Sequence, residues 1–235
     1  MIRDKLVPQQ NIPSRYCVHC RGPHLKGGPP HPVYTVADRY KGLSIDVTEF
    51  AKHHKARTLP AEKNNGLTQA IRWKVPGAPE IDVDLATWLP VFVDGARETN
   101  DMLRMIAVQG AKDMMRLPSH RIVPLVPSLV APLRRVLNTM DPATVATALD
   151  LLRFLLQTHR RACEALLACD GFRRMLPVPN LLRKSRIKVR VGYDLKMVGG
   201  KQAVLGDLIA EVLLLMEKQG GAKGTAIIKS YIPTY

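Results

Sequence analysis

The chain has 235 residues, 46% of them hydrophobic and only 5% aromatic, and carries 35 Lys plus Arg against 20 Asp plus Glu, a formal charge of +15. That much apolar material builds one large core or two small ones, while the scarcity of aromatics argues against a β-sandwich or barrel. No apolar run approaches the roughly 18 residues of a membrane span, and the opening MIRDKLVPQQNIP has no secretory signal, so a soluble intracellular protein with reduced thiols is expected.

Residues 1–49 hold six prolines in their first 32 positions, with Gly27-Gly28-Pro29-Pro30 among them and no apolar period, which predicts an extended irregular arm with no core of its own. Within it, Cys17-Val18-His19-Cys20 has the spacing of two zinc thiolates, and His24 lies within reach. A structural zinc takes a second tight ligand pair, and only scattered histidines such as His31 are on offer. Cys17, Cys20 and His24 are therefore metal candidates short of a full ligand set, and no cofactor is expected.

Residues 50–235 are expected to form a helical-repeat domain. From Asp84 onward apolar residues recur at helical spacing: Leu85, Leu89, Phe92, Val93 and Ala96 predict a first helix. Thr99-Asn100-Asp101 offers caps for a Met-rich helix that ends at Pro118. A third helix is predicted over about 122–138, with Pro124 and Pro127 in its opening turn and Pro132 bending it. Asp141-Pro142 pairs an N-cap with a proline at the first helical position. The helix it opens is apolar nearly all round (Val145, Leu149, Leu152, Leu155, Leu156) and must be covered on both sides. Helices follow at about 161–169, where Cys163 and Cys169 read as small core residues, and at 172–183. A loop or ribbon spans 184–202, and a long helix over about 204–219 stops at Gly220-Gly221.

Leu89-Pro90-Val91, Val123-Pro124-Leu125 and Leu176-Pro177-Val178 repeat a hydrophobic-Pro step at spacings near those of HEAT and armadillo units. With consecutive short helices this favours an all-α, short helical solenoid over a four-helix bundle. The charge lies at the ends: residues 171–235 hold 12 Lys plus Arg against 4 Asp plus Glu. Beside Arg173 and Arg174, the densest run is Arg183, Lys184, Arg186, Lys188, Arg190, Lys196 and Lys201, the candidate surface for an acidic partner. Only Tyr193 interleaves an aromatic there, so base stacking on nucleic acid is disfavoured. Phosphate loops, HExxH and GxSxG are absent, and no enzyme is expected.

Several stretches occur together in the order of a known family. They are Phe50-Ala51-Lys52-His53-His54, Ile71-Arg72-Trp73-Lys74-Val75, Leu89-Pro90-Val91-Phe92-Val93-Asp94-Gly95, Ile122-Val123-Pro124-Leu125-Val126-Pro127, Gly206-Asp207-Leu208-Ile209, and Ile228-Lys229 with Ile232-Pro233-Thr234-Tyr235. Over about residues 50–235 the chain thus resembles the parkin co-regulated gene protein family, with a more basic 184–202 segment and an arm that matches no family pattern. The resemblance implies a HEAT/armadillo-like, non-enzymatic structural protein of the ciliary and flagellar axoneme, in the cytoplasmic cytoskeleton and away from membrane. It implies binding to α/β-tubulin protofilaments at the inner junction of A- and B-tubules in doublet microtubules, beside a small β-rich inner-junction protein and other axonemal proteins. The alternative reading is a basic HEAT-like adaptor for RNA or another acidic partner.

Overall fold

The computed structural model describes residues 16–17, 22–23, 47–64, 71–74, 83–191 and 201–233. The chain divides into two units, Met1–Ile45 and Asp46–Tyr235. In the first, β1 (Tyr16–Cys17) pairs antiparallel with β2 (Gly22–Pro23), setting the backbone of Cys17 opposite Gly22. Cys20 and His24 lie outside the described residues.

The second unit packs helix on helix. Short polar side chains start its helices by accepting from N–H groups that have no intrahelical partner. Thr48 caps α1 (Glu49–Lys55), Asp84 caps α2 (Leu85–Asp94), and Asn100 caps α3 (Asp101–Met115). A short α4 (Ser119–Ile122) and a 3-10 turn containing Pro124 lead into α5 (Val126–Asn138), where Pro127 sits in the first turn as the sequence predicts. Asp141 caps α6 (Pro142–Thr158), and α7 (Ala162–Ala168), α8 (Asp170–Arg173) and α9 (Pro177–Leu181) follow. The unit closes with α10 (Leu205–Tyr231). Two antiparallel ribbons are accessory: β3 (Ala61–Lys63) with β4 (Ile71–Trp73), and β5 (Lys188–Val191) with β6 (Lys201–Val204).

The helices stack in pairs. α2 packs on α3, α5 on α6, and α7 on α10; α2, α5 and α7 touch in succession, and so do α3, α6 and α10. Two layers of helices with contacts between neighbouring pairs are consistent with a helical solenoid. As its apolar circumference requires, α6 is covered on both sides, with Leu149, Leu151, Leu155 and Leu156 at or below 2% exposure. A cavity of about 20 Å³ lies beside the contact of α6 with α10, lined by Leu149, Leu152, Phe172, Ile209 and Met216 among others. It has room for one water and nothing polar to hold it.

Three expectations need correction. The helix predicted over 172–183 is two short helices, because Pro177 and Pro179 have no N–H to donate and the intervening residues turn instead (Met175 N–H to Phe172 O, 2.9 Å). The hydrophobic-Pro steps do not mark equivalent places: Pro90 is inside α2, Pro124 is in the 3-10 turn, and Pro177 opens α9. The last helix does break where predicted, with Gly221 at φ 57° and ψ −153°, but helical backbone resumes and runs to Tyr231.

Candidate functional site

The basic segment after α9 is held at the start of α10. Val204, the N-cap of α10, provides no side-chain cap. Main-chain carbonyls of the basic segment do the capping: Leu205 N–H donates to Ile187 O at 3.0 Å and Gly206 N–H to Ser185 O at 3.2 Å. A Cβ at residue 206 would stand 2.4 Å from Arg183 O and 2.9 Å from Ser185 O. Only glycine admits this approach, which explains Gly206 at the head of a long helix.

So anchored, the segment displays its charge in an alternating pattern. Lys184, Arg186 and Lys188 are exposed, whereas Val189 is buried where β5 packs on α6. Arg183 is half-buried and has a partner. The ribbon register sets Lys188 opposite Val204 and Arg190 opposite Gln202, one row, and Val189 opposite Ala203 with Val191 opposite Lys201, the other. Position 190 thus shares the row of Lys188, and position 201 shares the row of the buried Val189. Lys196 lies outside the described residues. Sequence reasoning missed the exposed apolar neighbours Leu181 and Ile187, at 73% and 48% exposure. It also overcounted free charge, since Arg173 and Arg174 both pair with Asp170, at 3.5 and 2.6 Å.

Buried polar groups elsewhere hold helices together. Asp94, fully buried at the end of α2, accepts from Arg97 Nε (3.1 Å), Arg135 Nε on α5 (2.8 Å) and the Glu49 N–H of α1 (3.0 Å). Burial pushes its carboxyl up, but the hydrogen bonds from Arg97, Arg135 and Glu49 outweigh it and leave it below the usual range. Asp150 on α6 accepts from Lys112 on α3 at 2.5 Å and from Arg153 at 2.7 Å, and Arg153 reaches Glu211 on α10 at 3.1 Å. His159, 2% exposed, faces Met115 O through Nε2 (2.6 Å) and Ser119 Oγ through Nδ1 (2.8 Å). Because a carbonyl can only accept, Nε2 carries a proton and Nδ1 takes the hydroxyl hydrogen of Ser119 when the ring is neutral. That arrangement ties α3 and α4 to the end of α6 and gives Ser119 no carboxylate-oriented base. Cys163 sits in the core as expected, its thiol pushed up to about 11 by burial and then by the Glu164 charge, which makes it inert.

Among the described residues no three His, Cys, Asp or Glu side chains gather to hold a metal ion, and no helix is long and apolar enough to cross a membrane. The remaining candidate is the basic surface. The family model described as "Parkin co-regulated protein" matches residues 48–235. A mouse protein named "Parkin coregulated gene protein homolog" is 30% identical over 210 residues, covering 88% of this chain and 82% of the mouse protein.

Proposed function

We propose, from the premise that the chain belongs to the Parkin co-regulated protein family, that it is a structural microtubule-associated protein of ciliary and flagellar doublets. In this reading it binds α/β-tubulin at the inner junction between A- and B-tubules, through a HEAT/armadillo-like stack, and catalyses nothing. Its neighbours there are a small β-rich inner-junction protein and other axonemal proteins. The observation that carries the reading, beside the family, is the anchored row of Lys184, Arg186 and Lys188. None of the three has a carboxylate partner among the described residues, and the carbonyls of Ser185 and Ile187 between them are bonded to the first N–H groups of α10. A positive surface held on a stiff scaffold suits an acidic lattice and requires little ordering on binding.

Co-sedimentation with taxol-stabilised microtubules, with RNA as competitor, tests it. The wild-type chain is expected to pellet with the polymer and to resist displacement by RNA. Lys184→Glu/Arg186→Glu/Lys188→Glu is expected to stay in the supernatant with an unchanged helical circular-dichroism spectrum. A chain that ignores microtubules while binding RNA tightly would instead be a basic adaptor.

A further inference from the structure

A second basic surface, which none of the sequence motifs marks as a site, sits at the far end of the chain of helices where α1 ends. Lys52, His53, His54 and Lys55 occupy the last turn of α1, and Lys52, His54 and Lys55 are exposed. The helix then closes through two main-chain bonds, Arg57 N–H to His54 O and Thr58 N–H to His53 O, both 3.0 Å. That closure places Arg57 at φ 58°, in the left-handed region where glycine is favoured. Among the described residues Met140 is the other non-glycine with positive φ, and it is 7% exposed, so core packing accounts for it. Arg57 is exposed and has no such packing.

What Arg57 does have is company. Its carbonyl accepts from Lys74 Nζ at 3.3 Å, which brings a third cation beside Lys55 and Arg57. Arg72, exposed two positions before Lys74, adds a further cation on the β3–β4 ribbon. The carboxylates nearby are engaged: Glu49 pairs with Lys52 at 2.8 Å, and Glu62 is held by Arg72, which with the field of Lys74 keeps its carboxyl low. Lys55 and Arg57 therefore face solvent without an acidic partner among the described residues, and Lys74, whose field reaches Glu62, leaves the ion pair with that carboxylate to Arg72. A helix C-terminus attracts cations, which accounts for Lys55 but not for choosing arginine at a left-handed position.

We infer that this cluster docks a carboxylate-rich segment of a protein partner, separately from the 184–188 segment. Charge complementarity selects the partner class. The two indoles beside the cluster are half-buried and already engaged, Trp88 edge-to-face with the His53 ring at 5.0 Å and Trp73 stacked on Phe92 at 5.8 Å, so bases have no free stacking platform. The exposed large apolar residues of the described chain are Val47, Met102, Leu181, Ile187 and Leu214, none of them in the cluster, so a lipid surface has no anchor there.

The test uses the full chain carrying Lys184→Gln/Arg186→Gln/Lys188→Gln, which silences the other basic segment, and a fluorescein-labelled oligoglutamate peptide read by anisotropy. Arg57→Gly in that background should weaken peptide binding about threefold or more, while the melting temperature stays level or rises because glycine relieves the backbone. Lys55→Gln/Lys74→Gln should weaken it again. Peptide affinity unmoved by Arg57→Gly overturns the inference, and so does an affinity loss that only accompanies a fall in melting temperature. Preference for an RNA oligonucleotide over oligoglutamate overturns it as well. Because the probe is a peptide, failure here is distinct from failure to pellet with microtubules.

Discussion

Asp94 and Asp113 are two aspartates whose burial has opposite consequences. Asp94 has more donors than it needs, so removing its carboxylate leaves Arg97 and Arg135 facing an empty place. Asp94→Ala is expected to cost about 3 kcal/mol, the low end for a broken buried pair because Arg135 keeps its outer half in water, as read by urea unfolding. Its lowered pKa fixes the sign with pH: the stabilisation is present above the ordinary aspartate value near 4 and lost as pH falls toward the depressed folded value. Acid titration of the melting temperature should show a decline that is shallower in Asp94→Asn. Asp113 is the reverse case, pushed up by burial more than the charge of Arg116 and the hydrogen bonds from Trp73 and Arg116 pull it down. Its contribution is present at low pH and lost as pH rises through the raised folded value. Asp113→Asn, which still accepts from Trp73 Nε1, should therefore leave the melting temperature at pH 7 unchanged or raise it. Neither role is legible in the sequence, where each is an ordinary helix aspartate with an arginine three residues on, and where Arg135 and Trp73, which tie them to other elements, lie about 40 residues away.

At the scale of elements, Leu152 and Gly206 carry the sharpest expectations. Leu152 is 4% exposed on the central helix, and Leu152→Asp would bury a charge without a partner, so the variant should be lost to inclusion bodies. Gly206→Ala forces Arg183 O and Ser185 O off the start of α10, which should unseat the basic segment. We expect a modest drop in melting temperature and a larger loss of microtubule pelleting than the unchanged charge would allow. The central helix was readable because Asp141-Pro142 and an all-round apolar pattern are local signals, and they agree with the tertiary environment. The segment at 184–202 was legible only as a loop or ribbon, and Gly220-Gly221 only as a break, since nothing local shows that strands pair over 188–191 and 201–204 or that helix resumes after Gly221. The α1 helix and the β3–β4 ribbon were not legible, since seven and three residues are too few to show a period. The candidate surface was visible as a charge run, but which cations share a row depends on the register Lys188↔Val204, and no spacing in the sequence encodes it.

For the whole molecule, the charge of +15 predicts binding that weakens steeply with salt, since exposed charges are screened over about 8 Å at physiological ionic strength. Pelleting at rising salt should show it, with RNA competition separating lattice from nucleic acid. A different consequence follows from the place of α10 in the stack. It comes later in the chain than α6 and α7, yet it covers both, and Leu208, Ile209, Val212, Leu213 and Met216 are buried there. During synthesis the first two helix pairs can dock as they leave the ribosome, because their contacts are with near neighbours. The apolar side of α6 stays uncovered until α10 emerges. A nascent chain stalled before Leu205 would carry a bare leucine face, a natural mark for chaperones and for degradation of unfinished molecules.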